Sequence, residues 1–589
     1  MLAIVSGMVY YLDMASIVGK RQGNKTYYYL VESARVGGKP RIVSQRYLGP
    51  AEEVIARLEG TGPGEADRSR HLAFGDLAAV WSMLERMRVA EIVDKVVGAR
   101  RSDAAASVGT YIALAVANRI VDPRSKAGFS DWWHTTAGDR WVRLAASALD
   151  HRRFWDATEL ISGDQLRRAE RAIVAHVISE FSVELAGLVL DMTNFATYID
   201  SANPRAPIAQ RGHAKQKRND LRLVGLGLVV SVDGGIPLLS HPYPGDRPDV
   251  SQFPQMASEL HRRFAELGDV GSDDDGTEDG TTEFTLVFDA GQNSADNIEL
   301  LDDLAFHFVG SLPPSDHPDL LAVPASRYRR LDSMGLAGVR AFETRKVVFG
   351  AERRIVVCHS DGLHDKQSQG FDQTLAKARR QLAALAARLG RGKTRKPRHK
   401  VEEEIAQILK PRWLSRVIST TLSGQTPAEL RLTWRTKPKA RATLEEEIFG
   451  KRILFSDKDT DLATTAEIIF AYRSQEQAEG DFRQMKDPKV VSFSPMYHFT
   501  DHKIRVHVFT CVLALMAARL MVREADRAGL HLSVRRLLDT LAGIEETVLL
   551  YQGERGRPRA RRMLTETDTT QRRLYDLFGL DAYAPTKQR

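Results

Sequence analysis

The chain has 589 residues and a formal net charge of +8, so it is too long for one compact domain and only mildly basic. Its two cysteines exclude a disulfide scaffold and a cysteine-rich zinc site, and they fit a reducing cytoplasm. The N-terminus lacks a basic segment, and the longest apolar runs, 107–118 and 508–518, fall short of the ~20 residues that span a bilayer. We therefore expect neither a membrane protein nor a secreted one.

The first third of the chain changes from strand to helix patterning. Two β-rich runs in 26–49 flank Val36-Gly37-Gly38-Lys39, which predicts a hairpin. Apolar residues at three- and four-residue spacing predict helices from about 64 to 180. Within them, Ser162-Gly163-Asp164 predicts a capped helix start.

From residue 186 the pattern predicts a mixed sheet flanked by helices. GLVLDMTNFATYI is a strand, and two more strands surround the hairpin signal Asp233-Gly234-Gly235. A helix, the strand FTLVFDAG, a second helix and the short strand HFVGSL follow. The acidic segment 271–283 lacks calcium-loop spacing and predicts a solvated surface loop.

Residues 316–461 form a separate block in this pattern. A hairpin is predicted in TRKVVFGAERRIVVCHS, two helices in 371–410, and strands in RVISTTLS and ELRLTWR. The joint 388–400 between the two helices holds seven Lys/Arg and no acid. Long helices are then predicted at 464–487 and 501–524, followed by a basic tail with one more helix.

Two aspartates end predicted strands of this sheet. Asp191 follows the apolar run GLVL, and Asp289 follows FTLVF. Strand ends of an open α/β sheet are where sites form, and two carboxylates there need a cation such as Mg²⁺ or Mn²⁺. Each aspartate alone also fits a simple turn residue or helix cap.

The helix at 464–487 supplies a third acid. At 100° per residue, five side chains fall within an arc of about 80°: Tyr472, Gln475, Glu479, Phe482 and Lys486. An ordinary amphipathic helix keeps such an arc apolar. The mixed stripe indicates either a solvent-exposed face or a helix packed beside a metal site.

The segment IIFAYRSQEQAEGDFRQMK resembles the Tyr-(2)-Arg-(3)-Glu-(6)-Lys signature of the bacterial insertion-sequence DDE transposases. Tyr472, Glu479 and Lys486 occupy its Tyr, Glu and Lys positions. Gln475 departs from the Arg position, although Arg473 is close in sequence. The resemblance extends to other motifs: YYYLVESARVGGKPRIVSQRYLG, DMT at 191–193, RGHAKQKRNDLR at 211–222, YPGDRPD at 243–249, FDAGQNS at 288–294 and MYHFTDHKIRVHVF at 496–509.

The resemblance implies an α/β fold with an RNase H-like mixed-sheet core, interrupted by a large α+β insertion domain. The 189 residues between Asp289 and Glu479 independently require an insertion if these acids meet. The expected parts are an N-terminal β-hairpin region (1–60), a helical DNA-binding region (61–180), the core's first part (181–315), the insertion (316–461), the core's second part (462–550) and a basic tail (551–589).

The same resemblance implies cut-and-paste transposition of an insertion sequence. Asp191 would bridge two Mg²⁺ or Mn²⁺ ions, and Asp289 and Glu479 would each hold one. The residues expected to contact DNA are Tyr472, Arg473, Gln475, Lys486, Lys215 and Arg218. The expected partners are the double-stranded DNA of transposon ends and target, and a second copy in a synaptic homodimer. The expected location is the bacterial cytoplasm, at the nucleoid.

Several side chains have competing interpretations. Glu476 is the nearest rival of Glu479 as third acid. The other cases favour structural roles over metal binding or base stacking: Asp457, Asp459 and Asp461 as a turn; His498, His502 and His507 as packing, capping or phosphate contacts; Trp413 and Trp434 as core residues. The basic runs 211–218, 388–400 and 555–562 favour DNA contact over a solvated face.

Two other functions stay open. One is a DNA-binding descendant that has lost transposition, although three converging acids have no purpose in a pure binder. The other is a metal-dependent nuclease without strand transfer.

Overall fold

The computed structural model describes residues 14–23, 25–36, 39–58, 66–98, 104–215, 218, 220–271, 284–304, 306–331, 333–393, 395–551 and 559–586. They fall into two compact units. The terminal unit comprises Met1–Ala73, Glu545–Glu566 and Ala584–Arg589. The large unit comprises Phe74–Ile544 and Thr567–Tyr583. The acidic segment 272–283, predicted as a surface loop, and residues 555–558 of the basic tail lie outside the described residues.

The strands of the described chain are β1 (Met14–Gln22), β2 (Lys25–Val36), β3 (Lys39–Pro50), β4 (Arg68–Ala73), β5 (Gly187–Thr197), β6 (Arg222–Ser231), β7 (Pro237–Pro244), β8 (Thr285–Val287), β9 (His307–Leu312), β10 (Arg329–Leu331), β11 (Val339–Val348), β12 (Ala351–Ser360), β13 (Ile418–Ser423), β14 (Arg431–Thr436), β15 (Lys451–Ser456), β16 (Glu545–Tyr551) and β17 (Arg559–Leu564).

The helices are α1 (Ala51–Leu58), α2 (Gly75–Arg86), α3 (Val89–Val97), α4 (Val108–Val121), α5 (Phe129–Trp133), α6 (His151–Thr158), α7 (Gly163–Phe181), α8 (Phe253–Gly271), α9 (Ala295–Asp303), α10 (Pro318–Leu321), α11 (Asp361–Gly390), α12 (Arg398–Leu409), α13 (Leu414–Val417), α14 (Pro438–Ile448), α15 (Thr465–Arg473), α16 (Gln475–Met485), α17 (Asp501–Arg527), α18 (Val534–Ala542) and α19 (Thr569–Leu577).

The terminal unit contains two small antiparallel sheets. In the first, β1, β2 and β3 follow one another, and Val36 pairs with Lys39, so the predicted hairpin is present. In the second, β16 lies between β4 and β17. The sequence patterns missed β4 and β17. Both strands are rich in Arg, and β4 buries only Leu72, so neither shows an apolar alternation.

The predicted helical region is present as α2 to α7 within the large unit. Ser162 caps α7: its hydroxyl accepts from the Gln165 amide at 3.1 Å, and the Gln165 side chain accepts from the Ser162 amide. Helices α2 and α4 pack on the buried helix α17. These helices therefore belong to the core of the large unit rather than to a separate module.

Helix α17 satisfies the length and composition expected of a membrane-crossing helix. However, 89% of its most apolar window is buried inside the protein. It is the central helix of this core.

A nine-stranded mixed sheet organises the rest of the large unit. Its order is β10-β11-β12-β15-β9-β8-β5-β6-β7. Strands β5, β8 and β9 run parallel to one another, and β6 and β7 continue the sheet antiparallel beyond β5. This agrees with the predicted mixed sheet flanked by helices.

The predicted boundary between core and insertion does not separate the sheet. Strands β10, β11, β12 and β15 lie within 316–461, yet β15 pairs with β9, so they extend the core sheet. The apolar alternation of a strand does not reveal which sheet it joins. Only the segment from α11 to α14, with the hairpin β13–β14, lies between β12 and β15 without joining that sheet.

Candidate active site

Asp191 and Asp289 occupy matching positions on neighbouring strands. In the parallel pair β5–β8, Val189 is aligned with Val287, and each aspartate lies two residues further along its chain. Side chains two residues apart share a face of the sheet, and adjacent strands are about 4.8 Å apart. Asp191 is half-buried within β5, and Asp289 is exposed just beyond β8. The sheet thus brings the two predicted acids to one place.

Glu479 lies on α16, which packs against β5 and β6. The predicted single helix is interrupted, because α15 ends at Arg473 and α16 begins at Gln475. The backbone of Ser474 nevertheless keeps helical angles (φ −63°, ψ −10°), and Tyr472, Gln475 and Glu479 line one cavity, so these three residues of the predicted stripe share a face. Ser474, whose hydroxyl bonds the Ala471 carbonyl, is the junction between the two helices.

The buried carboxylate of Asp481 fixes α16 against α17. It forms an ion pair with Arg519 of α17, and its side chain is 0% exposed. Because Glu479 is two residues away on the same helix, this pair sets the position of Glu479 relative to the sheet.

Asp191 is affected electrostatically by the other two acids. Its pKa is raised to about 6, mainly by burial and also by the Asp289 and Glu479 carboxylates, while the Met192 amide and Lys215 act to lower it. Across the described residues, no three His, Cys, Asp or Glu side chains already stand as close as metal ligands do. The acids are therefore neighbours that repel one another, and a cation between them would relieve that repulsion.

A hydrogen-bond network holds the Asp289 carboxylate. The hydroxyls of Ser311 on β9 and Tyr472 on α15 donate to the same Asp289 oxygen, at 3.0 and 3.1 Å. Arg452 of β15 donates to the Tyr472 hydroxyl at 3.2 Å, and its guanidinium lies 5.4 Å from the centre of the Tyr472 ring. Tyr472 itself is buried. The network joins two strands and a helix to one acid.

Two lysines lie on the Asp191 side of β5. Lys486, at the end of α16, donates to the hydroxyl of Thr193 at 2.7 Å, and Thr193 is two residues from Asp191. Burial lowers the pKa of Lys486, and Lys215 lowers it further. Lys215 donates to the Met192 carbonyl at 2.5 Å and to Asp249 at 2.8 Å. Both ammonium groups are placed beside the acids.

Arg218, the other predicted contact in this basic run, is engaged by a neighbour. It forms a bidentate pair with Asp220 at 2.8 and 2.9 Å. This pair raises the pKa of Arg218 and keeps its charge largely compensated.

A cavity of about 320 Å³ lies beside Glu479. Its cationic lining residues are Lys366, Arg452 and Arg473, and Glu476 also faces it. The Nε2 amide nitrogen of Gln475, another lining residue, is buried without a hydrogen-bond partner. Such a donor is costly to bury unless a ligand accepts from it.

The residues with competing interpretations mostly hold structural contacts. Asp457 accepts from His307 at 2.6 Å and from the Phe308 amide at 2.8 Å. Asp459 pairs with Arg345. His502 bonds the Thr158 carbonyl, His507 bonds the Phe493 carbonyl, and the ring of His498 contacts those of Trp155 and His507.

The predicted base-stacking tryptophans lie within the segment between β12 and β15. Trp413 packs on Phe449 and carries Arg412 over its ring, and Trp434 is half-buried on β14 opposite Thr420. In the basic joint 388–400, several cations pair with glutamates of α12: Arg388 and Lys396 with Glu404, Arg398 with Glu402, and Lys400 with Glu403. That joint is less positive than its sequence suggests.

Sequence reasoning missed Ser311 and Arg452. Ser311 lies in the short strand β9 and Arg452 in β15, in segments with no motif of their own. They precede Tyr472, the first residue of the signature, by 161 and 20 positions. Arg452 supplies a guanidinium next to Tyr472, close to where Gln475 replaces the signature's arginine. Only the pairing of β15 with β9 reveals this proximity.

No protein-family model matches this chain, and no curated protein matches it. Among solved structures, it shows a likeness to a cryo-EM structure of the piggyBac transposase synaptic complex with hairpin DNA. The alignment covers 89% of each chain at 9% identity, with a TM-score of 0.34. A likeness at that TM-score carries no argument about the fold or the activity of this protein.

Proposed function

We propose that this protein is a DDE transposase of an insertion sequence, which binds the element's terminal inverted repeats, cleaves DNA and transfers the strand to a target. One observation carries the proposal. Asp191 and Asp289 lie at matching positions of neighbouring parallel strands, and the helix with Glu479 packs on the same strand. The order β7-β6-β5-β8-β9, with its three parallel strands, supports an RNase H-like core.

The donor set fits divalent metal ions. Three carboxylates provide hard oxygen ligands. The pKa of Asp191 is raised mainly by burial, and the Asp289 and Glu479 carboxylates add to that increase, so a cation here would favour the ionised form of Asp191. We propose that Asp191, Asp289 and Glu479 hold two Mg²⁺ or Mn²⁺ ions. When bound, such ions supply Lewis-acid stabilisation of a phosphodiester under attack.

The chain's own residues orient the DNA and the acids. Tyr472 and Ser311 fix the rotamer of Asp289 through its shared oxygen. Lys486 and Lys215 place positive charge beside Asp191, where it would attract a DNA phosphate. Arg452 and Arg473 do the same in the cavity beside Glu479.

The surrounding parts have proposed roles in DNA recognition. Phosphate contacts carry no sequence information, so we assign end recognition mainly to residues 1–180. In the terminal unit, the half-buried rings of Tyr27 and Tyr29 pack on the exposed Tyr47, and Lys20 lies over Tyr29, a combination of rings and cation suited to DNA. We further propose a synaptic homodimer acting on the bacterial nucleoid.

The test uses the DNA that flanks the gene, in which matched inverted repeats are expected. Asp191→Asn, Asp289→Asn and Glu479→Gln should each abolish Mg²⁺-dependent cleavage while binding to the ends persists. Glu476→Gln is the matched control, since Glu476 faces the same cavity. Normal cleavage by Glu479→Gln with a dead Glu476→Gln would show that the third acid is misassigned.

The same assay separates the other functions. Cleavage without joining of pre-cut ends to a target would identify a nuclease. End binding with no cleavage by the unaltered protein, in either Mg²⁺ or Mn²⁺, would identify a DNA-binding descendant.

A further inference from the structure

Three aromatic side chains outside the acid cluster are unusually exposed. Tyr198 is 48% exposed, Tyr497 60% and Phe499 47%, although large aromatic rings are generally well covered. Tyr198 directly follows β5, and the other two precede α17. We call these three residues the aromatic platform.

The backbone joins the two segments of the platform into one surface. The Tyr198 amide donates to the Met496 carbonyl at 3.0 Å, and the rings of Tyr198 and Tyr497 are 5.4 Å apart. The Asn203 side chain donates to the Phe499 carbonyl at 2.8 Å. These hydrogen bonds hold the backbone of the two segments together, so the rings project from a fixed main chain.

Cations are interleaved with these rings. The Arg205 guanidinium lies 5.4 Å from the centre of the Phe499 ring, and the Lys503 ammonium lies 5.0 Å from it. Neither cation has an ion pair with a described carboxylate. Arg218 lies within electrostatic range of Tyr198.

The acids around the platform are already engaged. Asp501 accepts from the Ile208 amide and Asp200 from the Ala202 amide, both at 2.9 Å, while Asp220 pairs with Arg218. The surface therefore presents partly exposed rings next to two cations that have no ion pair with a described carboxylate. That combination suits a polyanion whose bases can stack, which is single-stranded nucleic acid.

The platform is also connected to the candidate active site. Asp191, Thr193 and Phe195 share one face of β5, and Lys486 lies between the last two, 5.5 Å from the centre of the Phe195 ring. Six residues of β5 lie between Asp191 and Tyr198, so the two are roughly 20 Å apart along the strand direction. The platform is therefore within reach of a DNA strand that leaves the acids.

We propose that Tyr198, Tyr497 and Phe499 form a stacking site for unpaired bases of a DNA strand that extends from the candidate active site, with Arg205 and Lys503 contacting its phosphates. The inference rests on the proposed function for the direction of the strand. In a duplex the faces of the bases are already stacked on one another, so the site should prefer single-stranded DNA.

The experiment measures binding of the full chain to a labelled oligothymidylate and to a duplex of equal length, in EDTA. The double substitution Tyr497→Ala with Phe499→Ala should weaken oligothymidylate binding on the order of tenfold or more and change duplex binding much less. Tyr497→Phe keeps the ring and should bind normally. Phe470→Ala is the matched control, since that ring is 43% exposed but outside the platform.

The contributions of Arg205 and Lys503 are measured through the salt dependence of binding. Arg205→Gln and Lys503→Gln should each reduce the log–log salt slope of oligothymidylate binding by about 0.7. Unweakened oligothymidylate binding by the double alanine variant would overturn the inference, as would equal weakening for single strand and duplex. Absence of oligothymidylate binding by the unaltered protein would likewise overturn it.

Because metal is absent from this assay, its outcome is separate from that of the cleavage test. A protein that binds oligothymidylate through the platform but does not cleave DNA would contradict the proposed function alone. One that cleaves normally, with an alanine variant that binds oligothymidylate unchanged, would contradict this inference alone.

Discussion

The Tyr472 hydroxyl donates a hydrogen bond of 3.1 Å to the carboxylate of Asp289, which lies 183 positions earlier in the chain. Tyr472 is buried, and its hydroxyl also accepts from Arg452, so neither the ring nor the hydroxyl is free to rotate away from Asp289. The resemblance implied a DNA contact for this tyrosine. The geometry adds a positioning role for one of the candidate metal ligands, and the DNA contact stays a prediction.

Tyr472→Phe tests that role. The ring still fills its buried position, so we expect the fold to persist, but Asp289 loses one of its two hydroxyl donors. A hydrogen bond to a charged group contributes about 1.5–3 kcal/mol, so the cleavage rate should fall at least tenfold and higher Mg²⁺ should restore part of it. Single-turnover cleavage across a Mg²⁺ titration measures both effects.

The matched variants are Ser311→Ala, which removes the other donor, and Tyr575→Phe, which removes a hydroxyl that donates to Asp581 at 2.9 Å from another buried ring. Ser311→Ala should resemble Tyr472→Phe, and Tyr575→Phe should cleave normally. If Tyr472→Phe weakens binding to DNA ends and leaves the Mg²⁺ dependence unchanged, the tyrosine is a DNA contact after all.

The raised pKa of Asp191 predicts how stability depends on pH. Burial raises this pKa from 3.8 to about 6, so the folded state holds the proton more tightly than the unfolded state. The contribution of Asp191 to the protein's stability should therefore fall as pH rises from about 4 to about 6 and stay level above. Asp191→Asn removes this loss, and at pH 7.5 it should stabilise the protein by up to about 3 kcal/mol.

Chemical denaturation at pH 4.5 and 7.5 measures the difference. The exposed Asp303 provides the control, because Asp303→Asn should change stability little at either pH. Mg²⁺ should raise the melting temperature of the unaltered protein above pH 6 and not that of Asp191→Asn. Equal responses to Mg²⁺ would show that Asp191 is not a metal ligand.

The sequence predicted the local elements of this fold better than their association. Alternating apolar runs bounded by turn residues predicted β5, β6, β7 and the hairpin β11–β12, because each pattern lies within about twenty residues. The pairing of β15 with β9, which places Arg452 near Asp289, depends on register between distant segments. No local pattern specifies such a pairing, so the extended sheet was interpreted as a separate domain.

In the candidate site, too, the sequence identified residues that belong to local motifs and missed residues that only the tertiary structure brings together. Asp191, Asp289 and Glu479 were found because each belongs to a motif, whereas Ser311 acts through a single hydroxyl in a strand with no motif. The break at Ser474 was missed because all residues around it favour helix, and the pattern of 464–487 is continuous. Metal binding by these three acids stays a prediction.

The pair between Asp481 and Arg519 predicts a stability effect that also reaches the site. Asp481 is fully buried, and burial raises its pKa to about 7 although Arg519 lowers it. Arg519→Met leaves this carboxylate without its partner, and breaking one side of a buried pair costs about 3–5 kcal/mol. Denaturant unfolding at pH 8 should show this loss, and cleavage should weaken because α16 carries Glu479.

A surface pair provides the comparison. Arg398 and Glu402 are exposed i,i+4 neighbours on α12, so Glu402→Gln should cost under about 1 kcal/mol. If Arg519→Met lowers the free energy of unfolding as little as Glu402→Gln does, Asp481 is already neutral and the pair does not hold α16 in place.

Lys215 should set the pH at which the Asp191 site ionises. Its ammonium lowers the pKa of Asp191, opposing the increase that burial causes. Lys215→Met removes that charge, so the pKa of Asp191 should rise further, and ionisation should need a higher pH. Because metal binds the ionised carboxylate, the pH midpoint of the Mg²⁺-dependent increase in melting temperature should move upward, and the pH–rate profile of cleavage should move with it.

Arg218→Gln is the matched control from the same basic run, since Arg218 is paired with Asp220. An unchanged midpoint in Lys215→Met, together with weaker DNA binding, would mean that Lys215 acts on DNA phosphate and not on Asp191.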